Sequence, residues 1–278
     1  YGDTALQIVQ ENPYQLERDI YGIGFKTADR IAQALGLSAE HPSRIEAGIV
    51  FALNETINQG HVYVPKEILI SRATELLGVS HDLIPLGLER LEAGERIRQE
   101  LLPIPNTKNS QRMAAVYLTP LFWGEKGVAE RIKALLKTRD SLQKGKQLPL
   151  SEKGLSAEQQ EAVEMALTHP VSILTGGPGT GKTTCLKALI STLEAQDKRY
   201  ALASPTGRAA KRLSEATGRT ASTIHRLLEF SPVEGFKRND EHPLNIDFLV
   251  VDEASMLDLL LTNHLLKAIR PGTHLLFV

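Results

Sequence analysis

Apolar residues recur every three or four positions through most of the first 94 residues, a spacing that predicts amphipathic helices. The most regular run has a four-residue spacing: Ile45, Ile49, Leu53 and Ile57. Ser43 and Glu46 predict a capping box at the start of that helix, and Ser80 predicts the cap of a later one. Residues 1–42 are expected to form short helices of their own ahead of this region.

The periodicity changes after residue 94. Two alternating stretches, 95–101 and 113–119, predict a β-hairpin across a connection rich in turn residues. Helices followed by a hairpin are the outline of a winged helix. Residues 43–150 are therefore expected to form a winged-helix-like module that closes with a helix over 121–144 and a linker.

From residue 151 onward, strands and helices alternate, which predicts an α/β fold with a parallel sheet covered on both faces. The predicted strands are 171–175, 200–204, 248–251 and 274–278. The predicted helices are 157–168, 182–195, 207–217 and 222–229. Residues 151–278 are expected to be one α/β domain that follows two small, mainly helical modules.

Composition and charge narrow the setting. The only cysteine among the 278 residues is Cys185, which excludes an intrachain disulfide framework and indicates a reducing, cytoplasmic environment. The sequence has no run of 18 apolar residues and no signal-peptide pattern, so no membrane association is expected. The net charge of −1 gives no overall case for nucleic acid.

Locally, the charge is different. Seven basic residues occur between positions 198 and 226, and Glu215 is the acidic residue interspersed among them. The basic residues are Lys198, Arg199, Arg208, Lys211, Arg212, Arg219 and Arg226. Such a run predicts either a solvated face or a surface that binds a polyanion.

The segment Gly176-Gly-Pro-Gly-Thr-Gly-Lys-Thr183 matches the pattern G-x-x-x-x-G-K-[ST] in full, between a predicted strand and a predicted helix. Glycines let successive backbone N–H groups turn toward phosphate oxygens, and the helix N-terminus favours the same anion. Lys182 is expected to reach the β- and γ-phosphates of ATP and Thr183 to ligate Mg²⁺. The expected nucleotide contacts are Gln159, Gly177, Pro178, Gly179, Thr180, Gly181, Lys182, Thr183 and Thr184.

A pair of carboxylates follows the apolar strand 248–251. Asp252 is expected to hold Mg²⁺ and Glu253 to polarise the attacking water, so that Lys182, Asp252 and Glu253 are the predicted catalytic residues. An acidic pair after a strand is also typical of a helix cap, which is the structural alternative.

Several segments around this loop resemble motifs of superfamily 1 DNA helicases. Ala203-Ser-Pro-Thr-Gly-Arg-Ala-Ala210 looks like their motif Ia, and Leu155–Gln159 resembles the motif whose glutamine reads adenine. Thr223-Ile-His-Arg-Leu-Leu228 and Asp252-Glu-Ala-Ser-Met256 are similar to motifs Ib and II of the RecD-like branch. The resemblance implies a RecA-like motor domain in which Gln159 contacts adenine. It also implies a single-strand channel lined by Pro205, Thr206, Gly207, Arg208, Thr223, His225 and Arg226.

The N-terminal segment Ile20-Tyr-Gly-Ile-Gly-Phe-Lys-Thr-Ala-Asp-Arg-Ile-Ala32 looks like a helix-hairpin-helix, which binds DNA through N–H groups exposed at a glycine turn. Gly22, Gly24 and Lys26 are the expected DNA contacts, and a purely structural hairpin is the alternative. A dinucleotide-binding turn is disfavoured because Thr27 replaces the third glycine and no strand precedes. RecD-like helicases of the longer type carry similar modules before the motor.

The leading hypothesis is an ATP-dependent DNA helicase or translocase, moving 5′ to 3′ on single-stranded DNA by resemblance to the RecD-like branch. Its expected partners are single-stranded DNA, DNA junctions and repair or recombination proteins. Two alternatives stay open: an ATP-gated DNA-binding or loading module, and the motor subunit of a recombination nuclease complex. The chain is expected to be a fragment that hydrolyses ATP poorly, because motifs of a second RecA-like domain, including an arginine finger, do not follow.

Overall fold

The computed structural model describes residues 13–16, 20, 22–104, 111–137, 154–177 and 179–278. The chain divides into two compact units, Tyr1–Trp123 and Gly124–Val278. That division falls inside a helix, whereas the sequence places the last module boundary at residues 150 and 151. The predicted linker lies almost entirely within 138–153, outside the described residues.

The first unit combines helices with a small antiparallel sheet. Its helices are α1 (Phe25–Ala34), α2 (Pro42–Ile57), α3 (Lys66–Leu77) and α4 (Leu83–Ala93). Its strands are β1 (Tyr63–Pro65), β2 (Ile97–Pro103) and β3 (Arg112–Leu118), in the order β1-β3-β2. The predicted hairpin is therefore confirmed. The cap predicted at Ser80 is wrong, because α4 begins only after Asp82.

The start of α2 also differs from its prediction. Pro42 occupies the first turn, where a missing N–H needs no acceptor, and His41 is the N-cap. The His41 Nδ1 accepts a hydrogen bond from the Ser43 N–H at 3.3 Å. Glu46 forms an ion pair with Arg90 of α4 at 3.0 Å, so the predicted capping box of Ser43 and Glu46 is wrong.

One apolar core joins the two modules that the sequence separates at residue 42. Phe25 and Ala28 of α1 belong to the same buried cluster as Ile45 and Ile49 of α2. Gly87 of α4 approaches α2 so closely that a Cβ there would lie 2.7 Å from both isoleucines. The helix-hairpin-helix and winged-helix-like segments are therefore packed as one body.

A buried ion pair fastens α1 to α2. The Arg44 Nε lies 2.8 Å from Asp29 Oδ1, and the Tyr14 hydroxyl donates to the same oxygen at 2.6 Å. Arg44 also donates to the carbonyl oxygens of Ala39 and of Leu77 at the end of α3. Burial alone would raise the pKa of Asp29, but hydrogen bonds from Arg44 and Tyr14 outweigh it and lower that pKa.

We expect Arg44→Met to lower the free energy of unfolding by about 3–5 kcal/mol, because it leaves the Asp29 carboxylate buried without its cation. Arg90→Met is the matched control. The Arg90 pair with Glu46 is more exposed, so its loss should cost less than about 1 kcal/mol. Urea unfolding of both variants measures the difference, and equal losses would contradict a special role for Arg44.

The second unit is an α/β domain. Its helices are α5 (Thr119–Lys137), which begins in the first unit, α6 (Ala157–Thr168), α7 (Lys182–Ala195), α8 (Gly207–Thr217), α9 (Ile224–Leu227) and α10 (Leu259–Lys267). Its strands are β4 (Val171–Ile173), β5 (Tyr200–Ser204), β6 (Ala221–Thr223), β7 (Phe230–Ser231), β8 (Gly235–Phe236), β9 (Phe248–Val251) and β10 (His274–Phe277). The predicted α/β fold with a parallel sheet is confirmed.

Five strands form that sheet, in the order β4-β10-β9-β5-β6, and every neighbouring pair is parallel. Apolar clusters cover both faces: Phe248 and Val250 belong to one cluster, and Leu249 and Val251 to the other. The helix predicted over 222–229 is wrong in its first residues. Residues 221–223 pair with β5 as strand β6, and only a short α9 follows.

The helix α5 was expected to close the winged-helix-like module, but from Gly124 onward it packs within the second unit. A Cβ at Gly124 would meet Leu260 at 3.2 Å, and one at Gly127 would meet Asn263 Oδ1 at 2.6 Å. Leu135 lies in the apolar cluster of that unit. Glycines thus allow α5 and α10 to approach closely. No helix among the described residues is long and apolar enough to cross a membrane.

Candidate nucleotide site and nucleic-acid interface

The parallel sheet brings the candidate motifs to one edge. Because all its strands point the same way, their carboxyl ends lie side by side. Ser204 at the end of β5 lies opposite Thr223 on β6, and Ala203 lies opposite Val251 on β9. The segments that begin at Pro205, Ile224 and Asp252 therefore leave the sheet next to one another.

The phosphate-binding loop connects β4 to α7. Gly179 and Gly181 have φ of +79° and +87°, a left-handed conformation that glycine adopts readily. The Lys182 ammonium donates to the carbonyl oxygens of Gly176 and Gly177 and so lies across the loop. Thr183 is exposed on the first turn of α7, as is Thr184. Pro178, a predicted contact, lies outside the described residues.

Gln159 forms a capping box with Ser156 and also lies against the phosphate-binding loop. Its Oε1 accepts from the Ser156 N–H at 3.0 Å, and the Ser156 Oγ accepts from the Gln159 N–H at 3.3 Å, so the capping box is confirmed. The Gln159 Nε2 lies 3.5 Å from the Thr180 carbonyl oxygen. A Cβ at Gly181 would collide with that same amide. Adenine contact by Gln159 stays a prediction.

Asp252 emerges from β9 close to Lys182. Its N–H donates to the Ala203 carbonyl oxygen at 2.9 Å, which ties it to β5. Burial raises the pKa of the Asp252 carboxyl and the neighbouring Glu253 charge adds to this, whereas the Glu253 N–H and Lys182 act in the opposite direction. Glu253 itself is exposed, with φ of +54°. Because burial disfavours the charged form of the Asp252 carboxyl, a nearby cation would stabilise it.

The candidate ligands Thr183 and Asp252 suit Mg²⁺ only together with a bound nucleotide. Among the described residues, no group of three or more His, Cys, Asp or Glu side chains is placed to hold a metal ion. Thr183 and Asp252 offer a hydroxyl and a carboxylate, the hard oxygen ligands that Mg²⁺ prefers. Magnesium commonly completes such a protein shell with phosphate oxygens and water, so the pair suits a Mg²⁺-nucleotide rather than a free ion.

The two threonines of the predicted DNA motifs cap helices. The Thr206 Oγ1 accepts from the Ala209 N–H at 3.3 Å, and the Thr223 Oγ1 accepts from the Arg226 N–H at 3.2 Å. Each hydroxyl thus uses a lone pair, while its own O–H can still donate to a phosphate. Their exposed neighbours at this edge are Gly207, Arg208, His225 and Arg226, with Pro205 half-buried.

Some basic residues of the run 198–226 form ion pairs that the sequence does not reveal. Arg219 forms two hydrogen bonds with Glu194 at 2.7 and 2.8 Å, and Arg199 pairs with Asp247. Glu215 is the acidic residue within the run, but the acidic partners of Arg219 and Arg199 lie outside it in sequence. Three arginines of the run make no ion pair with any described residue: Arg208, Arg212 and Arg226. Arg212 lies one helical turn after Arg208 on α8, outside the motif that ends at Ala210.

These ion pairs predict a pH dependence of stability. Hydrogen bonds, first from Arg219 and then from Tyr200, lower the pKa of Glu194 to about 2, and Arg199 lowers that of Asp247 to about 2. Because both pKa values are depressed in the fold, their stabilisation is present above the ordinary values of 4.5 and 3.8 and is lost as the pH falls toward 2.

We therefore expect Glu194→Gln to lose less stability than the wild type between pH 5 and pH 3, within the interval of roughly 2 to 4.5 where the carboxylate protonates. Both groups are partly exposed, so the effect should be small and should shrink further in high salt. Urea midpoints at the two pH values measure it. Parallel acid profiles for the two proteins would contradict the assignment.

The glycine turn of the first unit leads into α1. Gly22 is exposed with φ of +93°, and Gly24 is an extended N-cap that leads into α1. Without a capping side chain, the first N–H groups of α1 stay open to solvent or a ligand. Lys26 is exposed, and its Nζ lies 5.7 Å from the centroid of the Phe51 ring.

Comparisons with known proteins match two separate parts of the chain. Residues 1–63 match the family described as ATP-dependent RecD2 DNA helicase HHH domain, and residues 159–278 match the AAA domain. A match to the Type II/IV secretion system protein family covers 89–204 and ends before Pro205, so it does not include the segments after β5, β6 and β9.

Individual relatives point the same way. The chain is 35% identical, over its entire length, to the ATP-dependent RecD2 DNA helicase of Deinococcus radiodurans, of which it spans 39%. It is 40% identical over 144 residues to the RecBCD enzyme subunit RecD of Mycobacterium tuberculosis, which covers 44% of the chain and 25% of that subunit. The ATP-dependent DNA helicase PIF1 of Trypanosoma brucei is 33% identical over 103 residues, 37% of the chain and 10% of the helicase.

The sheet order, the loop before α7 and the carboxylates after β9 define a P-loop protein with a RecA-like nucleotide-binding domain. The helix-hairpin-helix match and the identity along the whole chain narrow that class. The chain is similar to the RecD-like helicases along its whole length, and it spans about two-fifths of the length of the RecD2 relative.

We expect Gly181→Ala to abolish nucleotide binding, because its backbone is left-handed and the new Cβ would displace Gln159 from the loop. Gly218→Ala is the matched control. Gly218 is also left-handed, with φ of +68°, but it ends α8 and no atom lies near its added Cβ. That variant should lose about 1–2 kcal/mol of stability and keep nucleotide affinity. Titration with a fluorescent ATP analogue measures the nucleotide affinity of both variants. Equal affinities would contradict the crowding at Gly181.

Proposed function

We propose that this chain provides the nucleotide-binding motor domain of an ATP-dependent DNA helicase or translocase that acts on single-stranded DNA. The supporting observation is that one edge of the parallel sheet holds both the phosphate-binding loop with Asp252 and the segments that begin at Pro205 and Ile224. The candidate nucleotide site and the basic surface proposed to bind DNA phosphates therefore lie at the same edge of one sheet.

In the proposed mechanism, the backbone N–H groups of the loop and the N-terminus of α7 bind the phosphates of ATP. Lys182 exchanges the loop carbonyl oxygens for phosphate oxygens, which are charged and therefore stronger acceptors. Thr183 and Asp252 would hold Mg²⁺, which would offset negative charge on the phosphates. Glu253 orients and polarises the attacking water, and Gln159 contacts the adenine edge.

DNA is proposed to run along the same edge without base-specific hydrogen bonds. Several groups at this edge suit phosphate oxygens: the N-terminus of α8, the Thr206 and Thr223 hydroxyls, and Arg208 and Arg226, which make no ion pair with any described residue. Such contacts track a backbone and leave sequence unread. The exposed glycine turn at Gly22, Gly24 and Lys26 offers the first unit a second, independent phosphate contact.

Nucleotide and DNA sites are proposed to communicate through β5. The Asp252 N–H donates to Ala203, which lies two residues before Pro205 at the start of the DNA segment. A small displacement of Asp252 on nucleotide binding or hydrolysis would therefore act on β5, the strand that leads into Thr206. This short connection favours a DNA-coupled motor over a P-loop domain with no second ligand.

A motor subunit of a recombination nuclease complex is the second candidate. It is favoured by the 40% identity to a RecD subunit of the RecBCD enzyme, although that match covers less than half of the chain. The helix-hairpin-helix in residues 1–63, which matches the RecD2 family, favours the helicase without such a complex. If the native protein purifies together with nuclease subunits, the complex is supported. If it purifies without them, the helicase outside such a complex is supported.

We expect ATP hydrolysis by the full-length protein to rise strongly with single-stranded DNA. Lys182→Ala should lower the stimulated rate at least about 100-fold, the order of effect seen when one transition-state contact is removed. Glu253→Gln should abolish hydrolysis while nucleotide still binds, because the loop and Lys182 are unchanged. Steady-state assays with and without DNA measure this. Hydrolysis that ignores DNA would instead support an ATP-gated binding module.

Direction is proposed to be 5′ to 3′ along single-stranded DNA. A duplex with a 5′ single-stranded tail should be unwound in the presence of Mg²⁺ and ATP, and a duplex with only a 3′ tail should not. Glu253→Gln is the inactive control in this assay. Unwinding of the 3′-tailed duplex alone would reverse the proposed direction, whereas unwinding of neither would remove the helicase assignment.

A further inference from the structure

The last residue of β5 is a serine whose hydroxyl is buried without a hydrogen bond. Ser204 is 0% exposed, and its Oγ has no hydrogen-bond partner among the described residues. A buried hydroxyl that is left unpaired destabilises a fold, and such groups are few in native proteins. Alanine would occupy this position without that penalty, so packing alone does not account for a serine. The hydroxyl therefore indicates a role at the site.

The sheet places Ser204 beside Asp252. In the parallel register of β5 and β9, Ala203 lies opposite Val251, and the Asp252 N–H continues the ladder by donating to the Ala203 carbonyl oxygen at 2.9 Å. The next pair in the same register is Ser204 and Asp252. Adjacent strands lie about 4.8 Å apart, so these two residues are direct neighbours.

Both side chains point to the face of the sheet that carries α7. Side chains alternate between the two faces along a strand. Leu202 and Val250 each precede one of the two residues by two positions, and they belong to the same apolar cluster as the buried residues of α7. The Ser204 hydroxyl and the Asp252 carboxylate therefore lie on the side of the sheet where the phosphate-binding loop enters its helix.

Thr223 is the other neighbour of Ser204, across β6. Its Oγ1 already accepts a hydrogen bond from the Arg226 N–H at 3.2 Å. A carboxylate is the stronger acceptor, since hydrogen bonds to an ionised group are roughly twice as strong as those between neutral groups. Asp252 is also half-buried, where a hydrogen bond is less weakened by water. The carboxylate is therefore the better partner for the serine hydroxyl.

We propose that Ser204 positions Asp252 for Mg²⁺, because its hydroxyl donates to one carboxylate oxygen and leaves the other oxygen for the ion of a bound Mg²⁺-nucleotide. This inference rests on the proposed function, since it requires Asp252 to ligate Mg²⁺. Carboxylates that hold metal ions are themselves oriented by hydrogen bonds. Ser204 is a positioning residue, which acts through Asp252 and contacts neither the ion nor the phosphates.

The test measures binding of a fluorescent ATP analogue to the full-length protein, in EDTA and over a range of Mg²⁺ concentrations. Ser204→Ala should raise the Mg²⁺ concentration for the half-maximal effect about 10- to 100-fold, the range for loss of a group that orients a metal ligand. Its affinity in EDTA should equal that of the wild type, which also shows that the variant is folded. Its unfolding temperature should be unchanged or higher, because the unpaired hydroxyl is gone.

Ser172→Ala is the matched control. Ser172 is a buried serine on β4 of the same sheet, but its hydroxyl donates to the Met165 carbonyl oxygen at 3.4 Å. This variant should unfold at a lower temperature, because a buried hydrogen bond is lost. Its Mg²⁺ dependence should match that of the wild type.

A double variant locates the effect. Asp252→Ala removes the proposed acceptor, so Ser204→Ala should cause no further loss of Mg²⁺ affinity in that background. A further loss as large as in the wild-type background would overturn the inference, since Ser204 would then act through another group. A change in single-strand affinity without nucleotide, at unchanged Mg²⁺ dependence, would also overturn it and would assign the hydroxyl to Thr223.

The remaining outcomes separate this inference from the proposed function. An unchanged Mg²⁺ dependence in Ser204→Ala would overturn the inference alone. Equal losses of affinity with and without Mg²⁺ would also overturn it, because Ser204 would then support the nucleotide site as a whole. Nucleotide binding by the wild type that does not respond to Mg²⁺ would overturn the assignment of Mg²⁺ to Asp252, and with it that part of the proposed function.

Discussion

The candidate site depends on the burial of β9. This strand is hydrogen-bonded to β5 on one side and β10 on the other, and apolar clusters cover both of its faces. A slip of one residue would exchange Phe248 and Val250 with Leu249 and Val251 and disturb both clusters at once. The register of β9 is therefore strongly specified, and with it the point at which Asp252 leaves the sheet beside β5.

The same burial explains how much of the fold was predictable. Strands 200–204 and 248–251 and helices 157–168, 182–195 and 207–217 have the bounds that periodicity and glycine positions predict. The elements that were missed or misassigned, β1, β6 and the β7–β8 hairpin, are two or three residues long and show no period of their own. Their stability comes from partners such as Tyr117 opposite Tyr63, which local sequence does not reveal.

Site residues divide in the same way. The loop from Gly176 to Thr183 is continuous in sequence, so its geometry follows from glycine positions and the helix start. Whether an arginine is free of an acidic partner does not follow from the local sequence. Glu194 and Asp247 lie 25 and 48 residues from the arginines that they bind. Arg208 and Arg226 differ from Arg219 and Arg199 only in what the fold places beside them. A basic run therefore overstates the charge that a phosphate ligand would meet.

The resting contacts of the loop also indicate how nucleotide binding would spread. Lys182 is hydrogen-bonded to the carbonyl oxygens of Gly176 and Gly177, and a phosphate, as a charged acceptor, would displace them. Thr180 bonds to that same Gly177 carbonyl through its hydroxyl, and its own carbonyl faces the Gln159 amide. Movement of Lys182 toward a phosphate would thus free an acceptor shared with Thr180. The adjustment would reach Gln159, the residue proposed to contact adenine, within two hydrogen bonds of the Gly177 carbonyl oxygen.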